Sequence, residues 1–278
     1  MRVPVVVLGC VGYVGQCLTE DNSQNSMDLK GTTFAVCVPC QIHPTAVFFY
    51  FVTARHVLGD LDLDRVRILV NRYDGGRDAI KPQEWYFHPD PNVDVAVARY
   101  DIPPWVHIRQ ITLDLFATEM MRTGFIGIGD EVFFPGLFEI IPGERRNTPI
   151  VRHGAIAMLP EHPIQVGGGF AENYLVEARS FSGLSGSPVF VRATATKTER
   201  VEPGGRDMKM LLQVADMHLL GMIWGHWDEA HGVNMGIAAV TPAAKIHETL
   251  YLPEAVARRA ELEAIFPKST FPAPDRAE

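Results

Sequence analysis

Three separated segments carry residue types that together could run an acyl transfer. The first, FFYFVTARHVL, is an apolar run ending at Thr53-Ala54-Arg55-His56. The second, NVDVAVARYD, opens on Asp94 and continues as a strand-like alternation. The third, SFSGLSGSPVF, sets Ser185 between Gly183 and Gly186 in a segment suited to a tight turn. A serine hydroxyl is a weak nucleophile near neutral pH and needs an adjacent base. A histidine can take its proton and later deliver it to the leaving group. A carboxylate can fix the imidazole tautomer and stabilise the imidazolium. Small residues around Ser185 let the backbone turn sharply, so that the N–H groups of Gly183 and Ser185 face a developing oxyanion. Singly, each feature is ordinary: a histidine after a strand is usually structural, and an aspartate at a strand start is usually solvated. Type, order and spacing combine them, with His56 and Asp94 38 positions apart and Asp94 and Ser185 91 apart.

These blocks resemble those of the chymotrypsin-like, or trypsin-like, serine peptidases, and in style the bacterial trypsin-like peptidase domains. Thr53-Ala54-Arg55-His56 is similar to that family's Thr-Ala-x-His block, Asp94-Val95-Ala96-Val97 to its Asp-hydrophobic-Ala block, and Gly183-Leu184-Ser185-Gly186-Ser187-Pro188 to its Gly-x-Ser-Gly-Gly/Ser-Pro block. The chain order His, Asp, Ser is that of this fold; other serine hydrolases run Ser–Asp–His or Asp–His–Ser. Weaker matches are Gly31-Thr32-Thr33-Phe34, Gly129-Asp130-Glu131-Val132 before Pro135-Gly136, Leu220-Gly221-Met222-Ile223 and Gly236-Ile237-Ala238. The resemblance covers roughly residues 31–250. It implies two six-stranded antiparallel β-barrels, an all-β fold with a C-terminal helix added, and a substrate cleft between the barrels. It implies a catalytic triad of His56, Asp94 and Ser185, an oxyanion hole from Gly183 and Ser185, a polypeptide substrate and no cofactor or metal. It also places Arg179, six residues before Ser185, at the base of the substrate pocket, with Trp224 and His226 along its wall. One departure is Leu184, where relatives carry Asp or Asn. A leucine cannot receive the new N-terminal ammonium that activates the secreted digestive members, so cleavage-driven activation is not expected. Two other classes use the same residues: a peptidase fold serving as a binding or regulatory module with little turnover, and a serine esterase.

The elements that must position these residues read as short strands. They are Thr32–Val38, Ala46–Val52, Arg65–Val70, Trp85–His88 and Val93–Arg99 in the first half. The second half has Glu131–Phe134, Ile150–Met158, Tyr174–Glu177, Pro188–Arg192, Leu211–Ala215, Leu219–Trp224 and Met235–Val240. Turn residues separate them, the pattern of a barrel or sandwich. MRVPVVVLGCVGYVGQC reads as a first strand, and residues 19–30 as a polar loop. Residues 101–123, with Pro103-Pro104, read as a connector. The segments 160–172 and 193–210 read as mobile loops through which a regulatory protein partner would act. Helix signals are confined to the end: Thr241 as N-cap with Pro242 at the first helical position, then Glu254–Ile265. The division expected is an N-terminal lobe, 1–118, with His56 and Asp94; a C-terminal lobe, 119–252, with Ser185 and the pocket; and a helix with a frayed tail, 253–278.

Composition bounds the rest. The 278 residues are 47% hydrophobic and 21% charged, which is globular usage and excludes a disordered or coiled-coil chain. A net charge of −8 without a basic run argues against nucleic acid as a partner. No apolar run approaches the roughly 18–20 residues that span a bilayer, so no membrane partner is expected. The apolar stretch Val5–Leu8, bounded by Pro4 and Gly9, is shorter than a signal core of about 7–15 residues, and the expected address is cytoplasmic. Cys10, Cys17, Cys37 and Cys40 all fall in the first 40 residues. Cys37-Val-Pro-Cys40 has metal-ligand spacing, but Cys10 and Cys17 lie too far apart for the usual knuckle, and reduced buried thiols are the expectation. His226, Asp228, Glu229 and His231 read as solvated polar residues of a hairpin.

Overall fold

The computed structural model describes residues 3–18, 27–43, 45–59, 61–166, 169–179, 182–192, 217–228 and 234–265. Eight strands come from the first half: β1 Val11–Cys17, β2 Met27–Pro39, β3 Val47–Thr53, β4 Val66–Asn71, β5 Arg77–Ile80, β6 Glu84–Phe87, β7 Ala96–Tyr100 and β8 Ile111–Thr112. They form one sheet in the order β5-β4-β1-β2-β3-β7-β6, with β8 parallel to β2. β3, VFFYFVT, is apolar up to Thr53, as suits a central strand covered on both faces. On one face, Phe34, Val52 and Val97 join a buried cluster; on the other, Ala35, Phe51, Val70 and Tyr100 form a second, with Phe51 and Tyr100 stacked at 3.9 Å.

The second half gives β9 Glu131–Gly136, β10 Ile150–Met158, β11 Ile164–Val166, β12 Gly169–Ala171, β13 Tyr174–Glu177, β14 Pro188–Val191, β15 His218–Asp228 and β16 Asn234–Pro242. Six of these close a barrel in the order β10-β13-β16-β15-β14-β9, and β11 and β12 pair as a separate hairpin. Val132, Phe134, Val176, Leu184, Val189, Leu220 and Ile223 fill a common core. The outward Phe133 and Phe190, 5.6 Å apart, belong to the cluster that reaches the first sheet. Five helices complete the described chain: α1 Val5–Leu8, α2 Arg55–Leu58, α3 Glu119–Gly124, α4 Ala243–Leu250 and α5 Pro253–Ile265. Arg259 of α5 is buried between the rings of Tyr50 and Tyr251, and its Nη1 donates to Tyr50 Oη at 3.0 Å and to the Leu250 carbonyl at 2.8 Å. These contacts fasten α5 to the first sheet. Among the described residues no helix is long and apolar enough to cross a membrane.

The mainly β expectation stands: the second half closes a six-stranded barrel, and the described residues of the first half pair as an eight-stranded sheet. Several local expectations are corrected. Val5–Leu8 is a helical turn, not strand: the Val7 N–H reaches the Pro4 carbonyl and the Cys10 N–H the Val7 carbonyl, and the strand begins at Val11. Met27–Lys30 belongs to β2 rather than to the polar loop. The connector carries β8, a 3-10 turn over Leu113–Leu115 and α3, whose N-cap Thr118 accepts from the Met121 N–H. The hairpin β11–β12 lies within the segment read as a loop. Thr241 lies within β16, whose last residue, Pro242, and not Thr241, occupies the N-cap of α4. Leu211–Ala215 and the 193–210 loop lie outside the described residues. All four cysteines are buried free thiols. The Cys10 thiol donates to the Val7 carbonyl, and burial pushes it up to about 12.

Candidate active site

β3 ends at the buried Thr53, and α2 begins two residues later. That places His56 in the first turn of α2, exposed, with Val57 and Leu58 beneath it in the core. Asp94 is buried in the approach to β7 and spends both carboxylate oxygens on His56. Oδ1 accepts the His56 backbone N–H at 2.8 Å, and Oδ2 accepts the ring Nδ1–H at 2.6 Å. The two-point grip fixes both helix and ring. It leaves Nε2 as the ring nitrogen that can act as a base.

Ser185 enters from the other lobe, on the turn before β14. Gly183 at φ +91° and Gly186 at φ +85° hold the left-handed conformations that this turn demands. A Cβ on Gly186 would also collide with the Thr32 carbonyl. The Gly186 N–H donates to the Ile223 carbonyl at 2.9 Å and the Ser187 N–H to the Leu184 carbonyl at 3.0 Å. Among the described residues, the N–H groups of Gly183 and Ser185 have no acceptor, so they are available to an oxyanion.

Sequence reasoning gave Thr32 no role, yet this residue ties the two lobes at the site. Its N–H donates to the Ser185 carbonyl at 2.9 Å and its hydroxyl to the Gly183 carbonyl at 2.7 Å. Its own carbonyl accepts the Thr53 hydroxyl at 2.8 Å, three residues before His56. With both carbonyls of the turn held by Thr32, their amides are directed elsewhere. A threonine in an apolar strand reads as ordinary β-propensity, and only its burial and its bonds 151 positions along the chain set it apart.

Ser185 itself is half-buried, and its hydroxyl donates to the Trp224 carbonyl at 3.2 Å. Trp224 sits at an irregularity of β15 between Ile223 and Gly225, and its indole lies 5.9 Å from the His56 ring. Trp224 thus touches both Ser185 and His56. One neutral hydrogen bond is worth about 1 kcal/mol net, a bias of about fivefold. The contact describes a resting rotamer and is too weak to block the site.

The remaining predicted residues are less closely joined. Arg179 is exposed, its carbonyl accepts from Arg152 Nε at 2.9 Å, and it forms no ion pair among the described residues. His226 pairs through its backbone with Ala238 in β15–β16; its side chain, Glu229 and His231 lie outside the description. A groove of about 720 Å³ adjoins the serine turn, lined by Phe138, Glu139, Ile140, Ile150, Arg152 and Ser182. The Ser182 hydroxyl donates to Glu139 at 2.8 Å on this side of Gly183.

Leu184 is fully buried in the barrel core with Val132, Ile223 and Val189. It fills space where a carboxylate would need a partner. Leu184→Asp should therefore lower stability by about 3–5 kcal/mol, because it leaves a buried charge uncompensated. By calorimetry the melting temperature should drop by roughly 10 °C. An unchanged melting curve would show that a cation or water already reaches this position.

No family model matches the sequence, and no curated protein does. Solved structures share the fold. The apo MamO protease domain from Magnetospirillum magneticum aligns with a TM-score of 0.51 at 17% identity, covering 87% of this chain and 96% of that one. The active form of the Rv3671c protease from M. tuberculosis aligns with a TM-score of 0.50 at 17% identity, covering 88% and 81%. The chain has the mainly β, two-lobed fold of the trypsin-like serine proteases.

Proposed function

We propose that the chain is a serine endopeptidase acting through His56, Asp94 and Ser185. The observation that carries this reading is the grip of both Asp94 oxygens on His56, at 2.6 and 2.8 Å, on a protease fold. The Ser185 hydroxyl rotates from the Trp224 carbonyl toward His56 and attacks the scissile carbonyl carbon as Nε2 takes its proton. The N–H groups of Gly183 and Ser185 receive the oxyanion; one such donor is worth roughly 10²–10³ in turnover. The imidazolium, stabilised by Asp94, gives its proton to the leaving amine as the C–N bond breaks. Water then attacks the acyl carbon as His56 takes its proton; the ester C–O bond breaks, the acid leaves, and His56 returns the proton to the Ser185 oxygen. The groove beside Ser182 is of a size to seat substrate side chains, which favours a polypeptide over a small ester.

The test uses a fluorophosphonate probe, a diverse peptide library and simple esters on one preparation. Labelling with peptide cleavage is the expected result. Labelling with ester turnover alone would make the chain an esterase, and absence of labelling would leave a binding module.

A further inference from the structure

The loop that leads to Asp94 is braced from outside the triad. His88, just past β6, is 7% exposed and is not one of the triad residues. Its Nδ1 accepts the Asp90 N–H at 3.1 Å, so the ring proton sits on Nε2, which donates to Glu248 of α4 at 3.0 Å. The His88 N–H donates to the Val95 carbonyl at 3.2 Å, closing the loop around Asp94. Within it, the Val93 N–H reaches the Asp90 carbonyl at 3.1 Å, and the Asn92 N–H reaches Asp90 Oδ1 at 2.9 Å. Val93 and Val95, on either side of Asp94, share a buried cluster with Ala243, Ile246 and Leu250 of α4. Glu248 is anchored in turn by Lys245, at 3.1 and 3.3 Å, and Lys245 also pairs with Glu172 at 3.2 Å, just past β12. Burial would push the Glu248 carboxyl up, but the bonds from His88 and Lys245 outweigh it and hold it low, as an acceptor requires.

We infer that His88 is a positioning residue for Asp94, held by Glu248 in the one tautomer that closes the Asp90–Val95 loop. Helix α4 thereby sets the angle at which Asp94 meets His56, and Asp94 is aligned from two sides. The inference rests on the peptidase reading for its kinetic consequence, but the alignment itself is independent of turnover.

The experiment compares His88→Leu, His88→Asn, Glu248→Leu and Glu248→Gln with the parent chain. His88→Leu and Glu248→Leu should lower kcat by about 10- to 100-fold with KM nearly unchanged, the scale of a small misplacement at a catalytic group. His88→Asn keeps an acceptor for the Asp90 N–H, and Glu248→Gln keeps one for His88. Each should recover most of the rate lost by its leucine counterpart. The second readout is the far-downfield proton resonance of His56 Nδ1–H, which reports the bond to Asp94 without any substrate. It should shift or broaden in both leucine variants and return in the conservative ones. Folded variants with the parent resonance and kcat would overturn the inference. So would a rate loss with an unmoved resonance, which marks general damage. Glu248 is half-exposed, so its variants decide the matter if those at His88 fail to fold. If the parent chain cleaves nothing, the peptidase reading fails, and the resonance alone still tests the brace.

Discussion

Ser185→Ala should lower kcat by about 10⁶-fold, the scale on which a triad nucleophile is lost, and abolish fluorophosphonate labelling while the melting temperature falls by no more than about 3 °C. The side chain makes one described hydrogen bond, to the Trp224 carbonyl at 3.2 Å. Removing it deletes one oxygen from a half-buried position. The turn is held by other groups: the Gly186 and Ser187 amides, the Ile223 and Leu184 carbonyls, and Thr32 on the Gly183 and Ser185 carbonyls. None involves the hydroxyl. The Trp224 carbonyl would lose a donor worth about 1 kcal/mol at most. Chemistry and stability therefore separate at this position. Full labelling of the alanine variant at the same site would show that another residue is the nucleophile.

The same separation explains what the sequence made legible. The triad candidates stood out because their chemistry restricts residue type, and their order along the chain restricts the fold. β10 and β13 were legible to the residue, since Ile150–Met158 and Tyr174–Glu177 sit between clear turn signals. β5, Arg77–Ile80, was not: it is an edge strand joined to β4 by backbone bonds, and RDAI has no apolar rhythm. Val5–Leu8 misled in the opposite sense, because four apolar, mainly β-branched residues read as strand while tertiary packing winds them into one turn. The two-residue β8 is too short for any periodicity. Thr32 and His88 were missed for a common reason. Their partners, Gly183 and Glu248, lie 151 and 160 positions away, and nothing local marks a polar side chain that will be buried against a distant backbone or helix. The resting contact of Ser185 depends on a strand irregularity at Trp224, which no residue type announces.

Asp94→Asn should lower kcat by about 10⁴-fold with KM little changed. The aspartate uses one oxygen for the His56 backbone N–H and the other for Nδ1–H, so both contacts require acceptors. Asparagine supplies one oxygen and one NH₂. If the oxygen stays with the backbone N–H, the NH₂ faces Nδ1, which must then accept, and the ring proton moves to Nε2. A protonated Nε2 cannot take the Ser185 proton, so the variant folds around the wrong tautomer. If the amide flips, the NH₂ opposes the His56 backbone N–H and loosens the start of α2. The first arrangement disables the base, and the second leaves the imidazolium without its counter-charge; both remove almost no packing volume. Because His56, Asp94 and Ser185 act as a unit, their losses should not multiply. Combining Asp94→Asn with Ser185→Ala should leave the residual rate of Ser185→Ala alone. Residual peptide-hydrolysis rates of the two single variants and the double variant, measured at enzyme excess, test this directly. A loss below tenfold for Asp94→Asn, or a double variant showing the product of the two single losses, would mean that Asp94 does not act through His56.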